Sequence, residues 1–281
     1  MKNIKLVATD LDGTFLRNDK TVSAGNLEAL GKLGEQHIVR VAATGRNMRK
    51  VREVLRQDMP FDYIVYSSGA GVVHWESGKQ IFNQNLSRKS VRKLFQYFTA
   101  GKLNFHAFFP TPDNHKNWFY RGENACEEFE RYFRFNNYKA YPLDINNLPD
   151  TEMCQFLFII PEDEALFSRT KADIEKLCGD IRVIRASSPI TDDYIWIEIF
   201  HRSVSKGNGI KKICDMLNIS KENTVGIGND YNDFDLLEYT RYSFLTQNAP
   251  SEIRSAYPNA PSNEEDAFAW TWQQIQNECN V

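Results

Sequence analysis

Ile4-Lys5-Leu6-Val7-Ala8-Thr9-Asp10-Leu11-Asp12-Gly13-Thr14 is the stretch whose reading decides the fold. A short apolar, β-branched run that stops at two carboxylates and a glycine predicts a buried strand with charge at its carboxyl end. In open α/β sheets, the crevice beyond such strand ends is where ligands bind. Two aspartates one residue apart repel unless a cation or a shared proton relieves them. Asp10 is ionised at neutral pH and could act as a carboxylate nucleophile toward a phosphoryl group. Asp12 could protonate the leaving oxygen and later deprotonate the attacking water. Gly13 would allow a sharp turn, which Thr14 would hold by hydrogen bonding. The same letters also suit a strand ending in an Asx-type turn with solvated acids. An EF-hand is excluded, because the glycine and the late glutamate lie at the wrong offsets.

Working outward, residues 23–36 predict a serine-capped helix with Leu27, Leu30 and Leu33 on one face. Strands are expected at 39–43 and 63–66, with a basic helix over 47–56 between them. Strand, helix, strand, helix, strand is the pattern of a parallel doubly wound sheet. From about 86 to 200 the order changes to strand pairs set between helices, which predicts an inserted α+β unit. The alternating pattern resumes with a helix through Leu217, a strand at 224–228, a short helix at 234–239 and a strand at 242–245. Helices are expected at 250–256 and 264–277, the latter with Phe268, Trp272 and Ile275 facing inward. The expected division is therefore 1–85 with 201–281 as an α/β Rossmann-like core, and 86–200 as the insert.

The chain has 281 residues, 42% of them hydrophobic and 25% charged, with a net charge of -3, which argues against a nucleic-acid surface. No apolar run reaches the roughly 18 residues of a membrane span, and with Met1-Lys2-Asn3 leading into the first strand no signal peptide is expected. Cys126, Cys154, Cys178, Cys214 and Cys279 form no Cys-x-x-Cys pair and read as reduced thiols of a cytoplasmic protein. His37, His74, His106, His115 and His201 show no ligand spacing and are expected at the surface or in packing.

Polar groups recur at the ends of the expected parallel strands: Asp10 and Asp12 at the first, Thr44-Gly45-Arg46 at the second, Ser68-Gly69 at the third. Asn229, Asp230, Asn232 and Asp233 follow a late strand, and Lys206 starts a helix. If all these strands are parallel, the groups converge on one sheet edge. Acids on two loops can hold Mg2+ through oxygen, while a hydroxyl and a lysine can hold a phosphoryl group.

With these motifs in this order, the chain resembles the haloacid dehalogenase (HAD) superfamily of phosphohydrolases. The Asp-x-Asp-Gly-Thr motif lies at 10–14, the threonine motif at 43–46, the lysine motif at 205–207 and the acidic motif at 229–233. Because the insert lies between the threonine and lysine motifs, the chain is similar to the Cof-type subfamily, whose α+β cap covers the active site. The resemblance implies that Asp10 is nucleophile and metal ligand, and that Asp12 is the general acid and base with its backbone carbonyl on the metal. It implies that Thr44 and Lys206 bind phosphoryl oxygens, that Asn229 and Asp233 complete the Mg2+ shell, and that Gly45, Arg46, Ser68, Gly69 and Asn232 line the substrate.

Two letters depart from the subfamily pattern. Asn229 stands where a carboxylate is usual, and Ser68 where asparagine is usual. The expected function is Mg2+-dependent hydrolysis of small phosphorylated metabolites, sugar phosphates above all, through an aspartyl-phosphate. Alternatives are a phosphometabolite-binding or regulatory protein of weak activity, and a sugar phosphomutase. The aromatics Phe105, Phe108, Phe109, Trp118, Phe119 and Tyr120 are expected to form the insert's own core or to stack on a ring. Arg121, His106 and Arg185 are equally open to a solvated role.

Overall fold

The structure, a computed structural model, describes residues 3–124, 126–136, 139–188, 190–191 and 193–279. Along the chain run β1 (Leu6–Thr9), α1 (Ala24–Glu35), β2 (Val39–Ala43), α2 (Met48–Val54), β3 (Tyr63–Tyr66), β4 (Gly71–His74) and β5 (Lys79–Asn83). Next come α3 (Arg88–Ala100), β6 (Phe105–Phe108), β7 (Asn117–Tyr120), α4 (Glu127–Asn136), β8 (Ala140–Pro142), β9 (Gln155–Pro161), α5 (Glu164–Leu177), β10 (Ile181–Ser187) and β11 (Tyr194–His201). The chain closes with α6 (Lys206–Leu217), β12 (Thr224–Gly228), α7 (Phe234–Tyr239), β13 (Tyr242–Thr246), β14 (Asn259–Ala260) and α8 (Ala267–Cys279).

These elements form two compact units, Met1–Asn83 with Ser205–Val281, and Gln84–Val204. The breaks fall slightly outside the expected 85 and 200, for local reasons. Asn85 already accepts from the Thr111 N–H within the second unit, and Arg202 N–H still donates to the Asp180 carbonyl there. Ser205 then opens the return to the first unit by capping α6.

The first unit has an eight-stranded sheet in the order β14-β13-β12-β1-β2-β3-β4-β5. Strands from β14 to β3 run parallel, and β4 and β5 add antiparallel. Val7 packs on one face with Leu30, Leu33 and Phe268, while Leu6 and Ala8 pack on the other with Val65, Ile210 and Ile213. Burial on both faces explains why the strand reads as a continuous apolar run, and each fully buried Leu or Val contributes about 1.5–3 kcal/mol.

Several local expectations change. In α1, Leu27 is exposed, and Asn26 is buried instead because its amide donates to the Phe15 carbonyl and accepts from Ala269 N–H. The helix expected at 250–256 is a turn followed by one 3-10 turn at Arg254–Ala256. Pro258 biases Tyr257 to extended backbone and leaves the segment too short to propagate a helix. The closing helix starts later than expected, at Ala267, with Phe268, Trp272 and Ile275 buried.

The second unit has a six-stranded sheet in the order β10-β11-β9-β6-β7-β8, antiparallel except between β7 and β8. Phe98, Phe105 and Phe156 join α3 to this sheet, with Phe98 and Phe105 centroids 5.1 Å apart. His106 is buried in packing, stacked on Phe129 of α4 at 4.6 Å. Arg121 pairs with Glu130 and Arg185 with Glu162, so both are engaged within the unit.

Candidate active site

All site residues described here belong to the first unit, most of them just beyond the carboxyl ends of its parallel strands, with Lys206 at the start of α6. Asp10 follows β1, only 4% exposed, with its N–H on the Ile227 carbonyl at 2.9 Å. Lys206, the first residue of α6, is buried with it. Its Nζ donates to Asp10 Oδ1 at 2.8 Å, Asp233 Oδ1 at 2.7 Å and Asn232 Oδ1 at 3.1 Å. Gly69 makes this placement possible. It has φ +99°, and a Cβ there would lie 2.1 Å from the Ser205 carbonyl, so a larger residue would push the start of α6 away.

Burial pushes the Asp10 carboxyl up, and Asp233 and Asp12 push the same way, while the Lys206 ammonium 2.8 Å away pulls against them and favours the carboxylate. Burial opposes the charge on Lys206, but Asp10 and Asp233 outweigh it and raise its pKa. The ammonium therefore stays charged between two carboxylates.

Asp233, expected as a metal ligand, has both carboxylate oxygens engaged by protein donors. Its Oδ1 takes Lys206, and its Oδ2 accepts the N–H groups of Asn229 (2.8 Å) and Asp230 (3.1 Å). The 3-10 turn at Tyr231–Asp233 puts this side chain back over its own loop in a capping box with Asp230.

Arg46 also departs from expectation. Its guanidinium grips Asp12 bidentately, with Nε 2.5 Å from Oδ2 and Nη2 2.7 Å from Oδ1. Lys20 Nζ adds a bond to Oδ1 at 2.9 Å. Burial would raise the Asp12 pKa, but the hydrogen bonds and charges of Arg46 and Lys20 lower it overall.

Thr44 is buried, and its Oγ1 accepts the Arg46 N–H at 3.1 Å. Ser68 has a left-handed backbone, φ 55°, and its buried Oγ has no hydrogen-bond partner among the described residues. A Cβ built on Gly45 would lie 3.6 Å from that Oγ and 3.9 Å from Asn232 Nδ2. Glycine at 45 thus leaves an open cradle edged by a hydroxyl and an amide, suited to an anion's oxygen.

Asn229 is oriented by its neighbours. The terminal amide atom lying 3.2 Å from Asp10 Oδ2, 2.8 Å from the Asp12 carbonyl and 3.0 Å from Thr14 Oγ1 is the donating Nδ2. Turned over, the amide would present its oxygen at the same place. Separations of 2.8 and 3.2 Å bracket the edge of about 3.0 Å expected for oxygens about 2.1 Å from Mg2+. The donors Asp10 Oδ2, Asp12 carbonyl and Asn229 amide oxygen therefore fit Mg2+ with a single carboxylate. Among the described residues, no three His, Cys, Asp or Glu side chains are grouped for a metal.

Gly13, at φ +72°, lets Asn229 approach, since a Cβ there would lie 2.6 Å from the amide. Sequence reasoning missed three supports. Lys20 looks like an ordinary turn residue in Asn18-Asp19-Lys20. Thr246 and Asn248, which donate to the Gly13 carbonyl at 3.3 and 2.8 Å, had a usable signal: Thr246 ends β13 and Asn248 lies two residues beyond it, at the same sheet edge.

The family profile described as haloacid dehalogenase-like hydrolase matches residues 7–271. A putative phosphatase of Buchnera aphidicola is 25% identical over 94% of this chain and 95% of its own length. The 5-amino-6-(5-phospho-D-ribitylamino)uracil phosphatase of Bacillus subtilis is 22% identical over 97% of this chain and 98% of its own length. A HAD-superfamily phosphatase structure from Bacteroides thetaiotaomicron superposes with TM-score 0.79 at 18% identity, covering 97% of this chain and 95% of that one.

Proposed function

The chain belongs to the haloacid dehalogenase-like hydrolases and is a phosphoric monoester hydrolase, and from that premise we propose that it hydrolyses small phosphorylated metabolites, sugar phosphates among them, by passing the phosphoryl group to Asp10. The observation that carries this reading is the buried Lys206 ammonium 2.8 Å from Asp10 Oδ1. A fixed positive charge beside a nucleophile is suited to a group whose oxygens carry negative charge.

In the first step an Asp10 oxygen bonds to phosphorus, the ester P–O bond breaks, and Asp12, which Arg46 and Lys20 hold ionised at rest and which takes up a proton from solvent as substrate binds, delivers that proton to the leaving oxygen. Water then attacks phosphorus, Asp12 takes a proton from it, and the bond to Asp10 breaks to free inorganic phosphate. Thr44, with Ser68 and Asn232 at the cradle over Gly45, hydrogen-bonds the non-bridging oxygens, and Lys206 sets its positive charge against them. Mg2+ held by Asp10, the Asp12 carbonyl and Asn229 would supply positive charge against those oxygens. Substrate selection is assigned to the unit Gln84–Val204, and a reducing, cytoplasmic setting accords with the free Cys126, Cys154, Cys178 and Cys214.

Turnover of an aryl phosphate across a Mg2+ titration tests the proposal. Wild type should respond to Mg2+ and Asp10→Asn should lose activity by on the order of 10⁴-fold or more. The neutral Asn229 favours one other reading, a phosphometabolite-binding protein. Wild-type turnover no higher than that of Asp10→Asn at saturating Mg2+ would establish it.

A further inference from the structure

Arg46 is held at both its backbone and its side chain. Its N–H donates to Thr44 Oγ1 at 3.1 Å and its carbonyl accepts from Ser67 N–H at 2.9 Å. From this fixed base the guanidinium spans both Asp12 oxygens, at 2.5 and 2.7 Å, and its side chain is 20% exposed. A bidentate fork sets the plane of a carboxylate as well as its position, which a point charge cannot do. Lys20 adds its bond to Oδ1, so among the described residues Oδ1 takes two side-chain donors and Oδ2 one. Each carboxylate oxygen has two lone pairs, so Oδ2 keeps one for a proton.

We propose that Arg46 is a positioning residue: it fixes the Asp12 carboxylate so that Oδ2 meets the ester oxygen, and thereby determines how well poor leaving groups are expelled. The inference rests on the reading of Asp12 as acid and base given above. Breaking the ester P–O bond leaves an electron pair on the departing oxygen. An alkoxide needs the Asp12 proton at that moment, whereas a nitrophenolate is stable without it. Misplacing Asp12 therefore penalises alkyl phosphates selectively, while loss of a substrate-binding arginine would penalise all phosphate esters alike.

The test compares wild type, Arg46→Ala and Arg46→Lys on glycerol phosphate and on p-nitrophenyl phosphate, with Mg2+ present. For Arg46→Ala, kcat on glycerol phosphate should fall on the order of 10²-fold and kcat on p-nitrophenyl phosphate by less than about threefold, because only the former needs the proton. Arg46→Lys, which keeps the charge but loses the fork, should show the same selectivity to a smaller degree. Guanidinium ion added to Arg46→Ala should restore glycerol phosphate turnover, which separates loss of positioning from misfolding. Equal losses on both esters with raised KM, or a gain on glycerol phosphate, would overturn the inference. A wild type inert toward both esters would instead remove the phosphatase reading beneath it.

Discussion

Lys206 in the first unit and His106 in the second are both almost fully buried, at 2% and 1% exposure, yet they are held in opposite ways. Lys206 keeps its charge because Asp10 and Asp233 lie on either side of it. His106 is kept neutral: burial pushes its imidazole down to about 4, although the hydrogen bond with Asn117 pulls the other way. Its ring packs among Phe129 and Tyr132 as an aromatic residue would. A buried ion cluster contributes little net stability and is expensive to break, whereas a neutral ring in an aromatic layer is mostly packing. The buried lysine of the first unit is therefore arranged for chemistry, and the buried histidine of the second for folding.

The sharpest way to break this contrast is Lys206→Met. Two buried carboxylates would lose their counter-ion, so destabilisation of about 3–5 kcal/mol is expected by denaturant unfolding at pH 7, with loss of turnover. A variant as stable as wild type would show that the cluster is not charged as described.

The second comparison is in acid. The unfolded chain protonates His106 near 6.5, but the folded protein does so only near 4, so the unfolded state binds the extra proton between these values. Stability is therefore lost as pH falls from 6.5 toward 4, by about 2 kcal/mol at pH 5. His106→Phe leaves Asn117 without its partner, so it should be less stable than wild type at pH 7 by about 1–2 kcal/mol while losing this share of the acid dependence. Equal slopes of stability against pH in the two proteins would contradict a neutral buried ring.

The smallest effect concerns the neutral ligand. Asn229→Asp adds a carboxylate beside Asp10 and the Asp12 carbonyl, and should tighten Mg2+ binding by about tenfold in calorimetric titration, since ligand charge sets affinity for hard cations. Unchanged or weaker binding would place the ion elsewhere.

Much of the first unit was legible because β1, β2, β3 and β12 are buried on both faces and end abruptly in polar letters. β8 and β14 were not, since edge strands of three and two residues are too short to show a period, and β4 and β5 were not, since they add antiparallel to a sheet whose other strands alternate with helices. At the site, residue types could be read but partners could not. Asp233 and Arg46 have the chemistry expected of a ligand and an anion binder. Their side chains are committed to Lys206 and Asp12 by a capping turn and by the fixed backbone after Thr44, neither of which leaves a mark in the spacing of the letters.

The central claim is that the Asp10 carboxylate itself accepts phosphorus. During turnover with Mg2+, samples are quenched in acid, treated with borohydride and mapped by peptide mass spectrometry. The account predicts substrate-dependent reduction of an Asp10 acyl phosphate to homoserine, found at no other aspartate. Phosphate release at full rate with Asp10 unmodified at every quench time would contradict it.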